Sequence, residues 1–153
     1  MTEVERITLT SSLTILGGVI VFVVGQLILK LVIDPVLELR KAISEVGYNL
    51  LFYAPEIQTP ISRTPVTSEK AREALRKSSS DLYVRCEAIR YRFVYRMPFL
   101  RLPNREKVLD AAKRLRGLSN YVHETGEKAN GHIDHVVCIL KCIERDLQLP
   151  PVD

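Results

Sequence analysis

The residues best suited to recognition chemistry are arginines interleaved with aromatic side chains in residues 83–105, here called the arginine-rich segment. Glu87 is its only acidic residue, and it contains no lysine. Arginine forks bind phosphate or carboxylate through paired hydrogen bonds, and aromatic rings favour a headgroup interface or stack on bases. We therefore predict an anionic-surface site. Its residues are Arg85, Arg90, Arg92, Arg96, Arg101 and Arg105.

A second interpretation of this segment stays open. Tyr91, Phe93 and Tyr95 could be core residues at a helix end, with the arginines forming solvated ion pairs. If the segment does bind a ligand, lipid headgroups rank above nucleic acid or an acidic protein. The reason is that a membrane anchor would hold it within reach of a bilayer.

Histidine and cysteine side chains suggest a metal site near the C-terminus. On a helix, His132, His135, Cys138 and Cys142 fall within a sector of about 120°. A tetrahedral site needs ligands converging from two directions, which one helix rarely supplies. We expect no metal and no cofactor, and keep these four residues only as candidates.

Catalytic signatures are missing from the sequence. There is no Gly-x-Ser-x-Gly, no phosphate-binding loop followed by Lys-Ser/Thr and no His-Glu-x-x-His. The acidic residues are scattered, so paired carboxylate chemistry is not expected. Three cysteines without regular spacing do not form a disulfide framework and fit a reducing compartment. We predict a protein that is not an enzyme.

Residues 7–29 form the most distinctive element, a run of 23 uncharged residues. As a helix it would extend about 34 Å, enough to cross a hydrocarbon core of about 30 Å. The leader contains Glu3 and Glu5 rather than a positive region, which argues against a cleaved signal peptide. We predict a short extracytoplasmic tail over residues 1–6 and a transmembrane helix over residues 7–33.

Positive charge follows the predicted span rather than preceding it. Residues 69–116 contain 14 Lys or Arg against 6 Asp or Glu, while the N-terminal side offers only Arg6. The positive-inside rule then puts the N-terminus outside and residues 34–153 in the cytoplasm. The predicted location is the inner (plasma) membrane.

Small residues recur within the span. Ser11, Gly18 and Gly25 are spaced seven residues apart, and small residues on one face let membrane helices approach closely. The pattern predicts association with a second copy or a partner membrane protein. The alternative is the ordinary glycine content of membrane helices.

The remaining chain predicts four amphipathic helices and no strand. Asp34 and Pro35 are a typical helix start, although the chain could kink there rather than break, which would leave this helix continuous with the membrane helix. Pro55 opens a loop to residue 66, Thr67 or Ser68 caps the next helix, and Asn104 caps the third. We expect the second helix to extend to about Tyr95. The predicted inward residues are Val36, Leu39, Ile43, Val46, Leu50 and Ala54; Ala71, Leu75, Ser78, Leu82, Cys86 and Ile89; Val108, Ala111, Ala112, Leu115, Leu118 and Val122; and Ile133, Val136, Leu140, Ile143 and Leu147.

Four helices with one apolar stripe each must bury those stripes together. The predicted fold class is therefore all-α, one N-terminal transmembrane helix followed by a small antiparallel bundle of about four helices.

The stretch VGQLILKLVIDP, residues 24–35, followed by an amphipathic helix ending at Tyr53, Ala54 and Pro55, resembles a group of small bacterial single-pass membrane proteins with a short helical cytoplasmic domain. The residues GLSN, 117–120, extend the likeness. The resemblance implies a bacterial inner-membrane setting. It carries over no catalytic residue.

The leading functional hypothesis is a membrane-anchored, non-enzymatic interaction module that presents its basic helical domain to lipid headgroups or another anionic partner. Two alternatives stay open. One is an effector, toxic or signalling, that oligomerises and perturbs the bilayer. The other is a small membrane-bound enzyme that depends on a metal.

Overall fold

Helices account for 93% of the described chain, and none of the described residues lies in a strand. The structure is a computed structural model that describes residues 3–58, 64–89, 94–95, 100, 102–123 and 133–150. It divides into two compact units, Met1–Pro35 and Val36–Asp153. The all-helical prediction is confirmed.

The first unit is dominated by α1, Glu3–Ile28, whose residues are all exposed. Apolar side chains surround this helix on every side, so it has no polar face to turn toward water. The helical backbone is continuous over Glu3–Phe52, and its most apolar 18-residue window has a mean hydropathy of 2.4 with nothing buried. By length and composition, this helix is able to cross a membrane.

A π-helical turn, Leu29–Ile33, follows α1 and leads into α2, Asp34–Phe52. The prediction that Asp34 is an N-cap is wrong, because Asp34 is itself helical and its N–H donates to the carbonyl of Leu29. Pro35 explains the wide turn. A proline ring lacks an N–H and clashes with the carbonyl four residues earlier, and a π turn relieves that crowding without ending the helix.

The connection after α2 differs from the predicted loop. A short helix, α3, covers Ala54–Gln58, with Pro55 in its first turn, where the missing N–H costs nothing. The next helix, α4, covers Pro65–Ala88 and is capped by Thr64 rather than by Thr67 or Ser68. Thr64 and Thr67 form a reciprocal capping box, with Pro65 at the first helical position.

The end of α4 also corrects the sequence prediction. The helix stops at Ala88, not near Tyr95, and Ile89 leaves the helical region with ψ of 87° while staying buried. Helix propensity alone does not mark this stop, because no proline or glycine lies there. A contact from Tyr95 to the last turn of α4 is described below.

The last two described helices are α5, Arg105–His123, and α6, Ile133–Leu147. Asn104 caps α5 as predicted, since its side-chain oxygen accepts from the N–H of Glu106. At the end of α6, Gln148 takes a left-handed conformation with φ of 57°. The N–H of Leu149 then bonds the Glu144 carbonyl at 2.9 Å, and the N–H of Gln148 lies 3.4 Å from the Arg145 carbonyl, a Schellman arrangement.

The core of the second unit follows the predicted inward faces. All the residues in those faces are buried except Ala54 and Ile133, which are half-buried. Serine enters this core because its hydroxyl can be satisfied locally. Ser79 donates to the Ala112 carbonyl at 2.7 Å, and Asn49 donates to Ser78 at 2.8 Å. Small, satisfied side chains let α4 pack against α5 and α2 without an unpaired polar group.

Candidate interaction surfaces

Arg85, the first residue of the predicted anionic-surface site, lies on α4 and is held by acidic neighbours. Its Nε is 2.7 Å from Asp81 one turn earlier, and its guanidinium also pairs with Glu38 on α2. Burial and the nearby Glu45 raise the pKa of Asp81, and the opposing effect of Lys77 is smaller. Arg85 therefore joins two helices of the second unit rather than presenting an unshared positive charge.

Arg105 behaves similarly at the start of α5. It lies 2.5 Å from Glu87, near the end of α4. The other four arginines of the predicted site, Arg90, Arg92, Arg96 and Arg101, lie outside the described residues. Of the predicted site, the described part of the structure thus shows two arginines in ion pairs, as the second interpretation of the segment expects.

Cys86, which is buried, and Tyr95, which is half-buried, form a polar pair within the arginine-rich segment. The Tyr95 hydroxyl donates to the Cys86 carbonyl at 3.0 Å and lies 3.3 Å from Cys86 Sγ. Burial raises the pKa of the Cys86 thiol and, more strongly, the pKa of the Tyr95 hydroxyl. Both groups are neutral at physiological pH, so this cysteine is not a thiolate nucleophile.

This pair explains where α4 ends. The last carbonyls of a helix have no partner within the helix, and the Tyr95 hydroxyl supplies one to Cys86. Val94 is buried beside it, and Arg40 on α2 donates to the carbonyl of Leu100. The described parts of the arginine-rich segment are therefore attached to α2, α4 and α5, and are not free of the helical core.

A groove of about 370 Å³ lies between α4 and α5. Its lining combines apolar, hydroxyl and cationic side chains. The lining residues are Ser79, Ser80, Tyr83, Val84, Ala112, Lys113 and Arg116. Tyr83 and Val84 are exposed, while Ser79 and Ala112 form the buried floor. Such a groove suits a partner with an apolar side chain and a neighbouring negative charge.

Lys113 and Arg116 were not among the predicted site residues. They lie one turn apart on the groove side of α5, and the only pairing of Lys113 among the described ion pairs is an exposed contact of 3.4 Å with Asp110. Exposed pairs of this kind contribute little and compete poorly with a ligand. The signal in the sequence was the spacing of three, which places two cations on one helix face.

Of the described metal candidates, Cys138 and Cys142 line one surface pocket on α6, and His135 is not among its lining residues. His132 lies outside the described residues, and the ring of His135 makes an edge contact with Tyr121 at 5.4 Å between centroids. Cys138 is exposed and Cys142 half-buried on α6. Among the described residues, no three His, Cys, Asp or Glu side chains are arranged to hold a metal ion.

The small residues of the predicted membrane seam lie on the surface of α1. Ser11 is exposed, and a Cβ added at Gly18 or Gly25 would meet no atom within 4 Å. The faces that carry these residues are open in the single chain. They leave room for another helix without showing which one.

No protein-family model matches the chain, and no curated protein or solved structure shows significant similarity to it.

Proposed function

We propose that this protein is a non-enzymatic interaction module held at a membrane by α1, with its second unit in the cytoplasm. The observation that carries the proposal is the exposure of α1, because an apolar helix that buries nothing against protein needs lipid as its solvent. The bacterial inner membrane and the outward N-terminus, which follow from the charge pattern and the sequence resemblance, belong to the proposal.

The second unit is proposed to be an antiparallel helical bundle. Contacts between α2 and α4 support this arrangement, since Glu38 pairs with Arg85 near one end. Asn49 bonds Ser78 farther along, so residue numbers rise along one helix as they fall along the other. Ser79 bonds Ala112 and Glu87 pairs with Arg105, so residue numbers also run in opposite directions along α4 and α5.

The proposed binding surface is basic and has two parts. One is the groove between α4 and α5, with Lys113 and Arg116 beside its apolar lining. The other is the arginine-rich segment, where Arg90, Arg92 and Arg96 remain the proposed contacts. Because anionic headgroups near a membrane attract basic residues by about 1 kcal/mol each, several weak contacts suffice for an anchored protein.

The topology has a direct test in the native cysteines. Cys138 is exposed, whereas Cys86 is buried. In a Cys142→Ser variant, a membrane-impermeant maleimide should label Cys138 only after spheroplasts are lysed, and Cys86 only after denaturation. A Glu3→Cys variant should be labelled in intact spheroplasts. Labelling of Cys138 in intact spheroplasts would reverse the proposed orientation.

The binding surface is tested with the full chain in nanodiscs of neutral lipid, offered protein-free vesicles with or without anionic lipid. We expect the nanodiscs to co-sediment with vesicles that contain anionic lipid and not with neutral vesicles. The Arg90→Gln, Arg92→Gln, Arg96→Gln variant and the Lys113→Gln, Arg116→Gln variant should each reduce it. A control of equal charge change replaces exposed lysines elsewhere by glutamine. Its positions are Lys70, Lys107 and Lys141, and its charge change matches that of the triple arginine variant.

Equal losses in the control and the triple arginine variant would mean that net charge alone drives binding. Unchanged binding in both groove and arginine variants would contradict the basic-surface proposal. The same result would not contradict the proposed membrane anchor, because maleimide labelling tests the anchor separately.

A further inference from the structure

The outer face of α2 carries large apolar side chains that the protein does not cover. Leu37 is 48% exposed, Tyr48 62%, Leu51 55% and Phe52 60%. Tyr48 and Phe52 stack on each other with ring centroids 5.7 Å apart. Adjacent exposed apolar side chains of this size typically mark an interaction surface.

The exposed residues follow a heptad pattern. Leu37, Lys41, Ser44, Tyr48 and Leu51, here called the α2 outer stripe, are spaced by alternating steps of four and three. On a helix they occupy a sector of about 80°, the narrow seam of a two-stranded coiled coil. In heptad terms they are d, a, d, a and d.

The α2 outer stripe lies opposite the face that α2 buries in the core. Leu39, Ala42, Val46 and their buried neighbours project about 180° away from the stripe. The helix therefore has two apolar faces, of which the described structure covers one. An amphipathic helix that only completed a bundle would need just the buried face.

Charges beside the stripe indicate what covers it. In this register Arg40 occupies a g position and Glu45 the e position five residues later, and both are exposed. In a parallel pair of identical helices, g of one chain meets e of the other, so Arg40 would face Glu45 of the second copy. An antiparallel pair would instead bring like charges together.

Lys41 adds a second indication. A single lysine at an a position lowers the stability of a coiled coil but specifies its register and number of strands. The stripe thus has the self-complementary composition of a symmetric contact, in which the same patch serves both subunits.

We propose that α2 pairs in parallel with α2 of a second copy through the α2 outer stripe, with Arg40 and Glu45 paired between chains. The inference rests on the proposed membrane anchor. A seam of about two heptads is too short to dimerise strongly in solution. Confinement of both copies to one membrane raises their effective concentration and makes a weak seam sufficient.

Disulfide crosslinking of the full chain in neutral-lipid vesicles tests the pairing. In a background where Cys138 and Cys142 are serine, Ser44→Cys puts a thiol at the centre of the seam. Mild oxidation should give a crosslinked dimer. The matched control is Asn120→Cys, at an exposed asparagine on α5, which should give little dimer.

Two further variants in the Ser44→Cys background identify the contacts. Leu51→Lys should lower the dimer yield at least tenfold, a change that corresponds to ~1.4 kcal/mol, because the pair loses the burial of two leucines. Glu45→Arg should lower it by repulsion from Arg40, and adding Arg40→Glu should restore it. Arg40 also bonds the Leu100 carbonyl within its own chain. If the substitutions merely destabilised the fold, the double variant would give less dimer than Glu45→Arg alone, so restored yield indicates pairing between chains.

The outcomes separate this inference from the proposed function. Dimer yield at Ser44→Cys no greater than at Asn120→Cys, in protein that resists carbonate extraction, overturns the pairing and leaves the anchor standing. Release by carbonate overturns both. A dimer insensitive to Leu51→Lys and the charge exchange, but lost in Gly18→Ile with Gly25→Ile, would assign association to α1 and overturn the α2 seam.

Discussion

Apolar side chains are exposed in one part of the continuous helical stretch and buried in another. In α1 every residue is exposed, although the helix is the most apolar part of the chain. In α2 the apolar residues at steps of three and four are buried, including Leu39 and Val46. The second unit supplies α2 with protein partners, whereas the described structure supplies none to α1.

The contrast teaches how to interpret exposed apolar surface. An uninterrupted apolar cylinder has no face for water and requires lipid, whereas a stripe on an otherwise polar helix requires a protein partner. By this reasoning the outer face of α2 differs from α1. It is a stripe bordered by charges, so its expected partner is another helix.

The largest expected effect comes from charging the anchor. Ile20→Arg with Val24→Arg places two cations near the middle of α1, at a cost of about 2.5–3.5 kcal/mol each in a membrane. We expect the full chain to move from the carbonate-resistant pellet to the soluble fraction. Ile20→Leu with Val24→Leu should remain in the pellet. If the arginine variant stays in the carbonate-resistant pellet, α1 does not depend on lipid, and its exposed apolar surface would not differ in kind from that of α2.

A pair of leucines two residues apart sharpens the comparison within α2. Leu39 is fully buried and Leu37 is not. Leu39→Ala should destabilise the second unit by about 2–5 kcal/mol, because it leaves a cavity in the core. Leu37→Ala should change stability by less than about 0.5 kcal/mol. Urea unfolding of dilute full chain in detergent micelles, followed by circular dichroism, measures both, and equal losses would contradict the assigned faces.

A smaller effect is expected at Tyr95. Tyr95→Phe removes the hydroxyl that bonds the Cys86 carbonyl and leaves a buried acceptor unpaired, at a cost of about 1–3 kcal/mol. Tyr83→Phe, on an exposed tyrosine, is the control and should be near neutral. The same unfolding measurement applies, and increased reactivity of the Cys86 thiol should accompany the loss. Stability equal to that of Tyr83→Phe would mean that Tyr95 does not determine the end of α4.

The smallest effect is a gain at the end of α6. Gln148 has a positive φ, which glycine adopts without steric cost. Gln148→Gly should stabilise the second unit by up to about 1 kcal/mol, while Gln148→Ala should give no gain. A loss of stability in the glycine variant would show that the Gln148 side chain contributes more than its backbone strain costs.

Periodicity and composition were sufficient for the elements that depend on local pattern. Residues 7–29 predict an apolar helix because no charge interrupts them, and the inward faces follow from steps of three and four. Asn104 was identifiable as a cap because its side chain acts within its own turn. These properties belong to neighbouring residues, so they can be derived without knowing the rest of the fold.

The end of α4, the continuity through Pro35 and the ion pairs of Arg85 and Arg105 could be decided only by tertiary structure. The Tyr95 hydroxyl bonds the Cys86 carbonyl in the last turn of α4, and a π turn lets the helix continue past Pro35. Of the arginines in the anionic-surface prediction, Arg85 and Arg105 are described, and they pair with Glu38 and Glu87 on other helices. Local pattern cannot anticipate such contacts, because their energy depends on which distant residues the fold brings within a few ångströms.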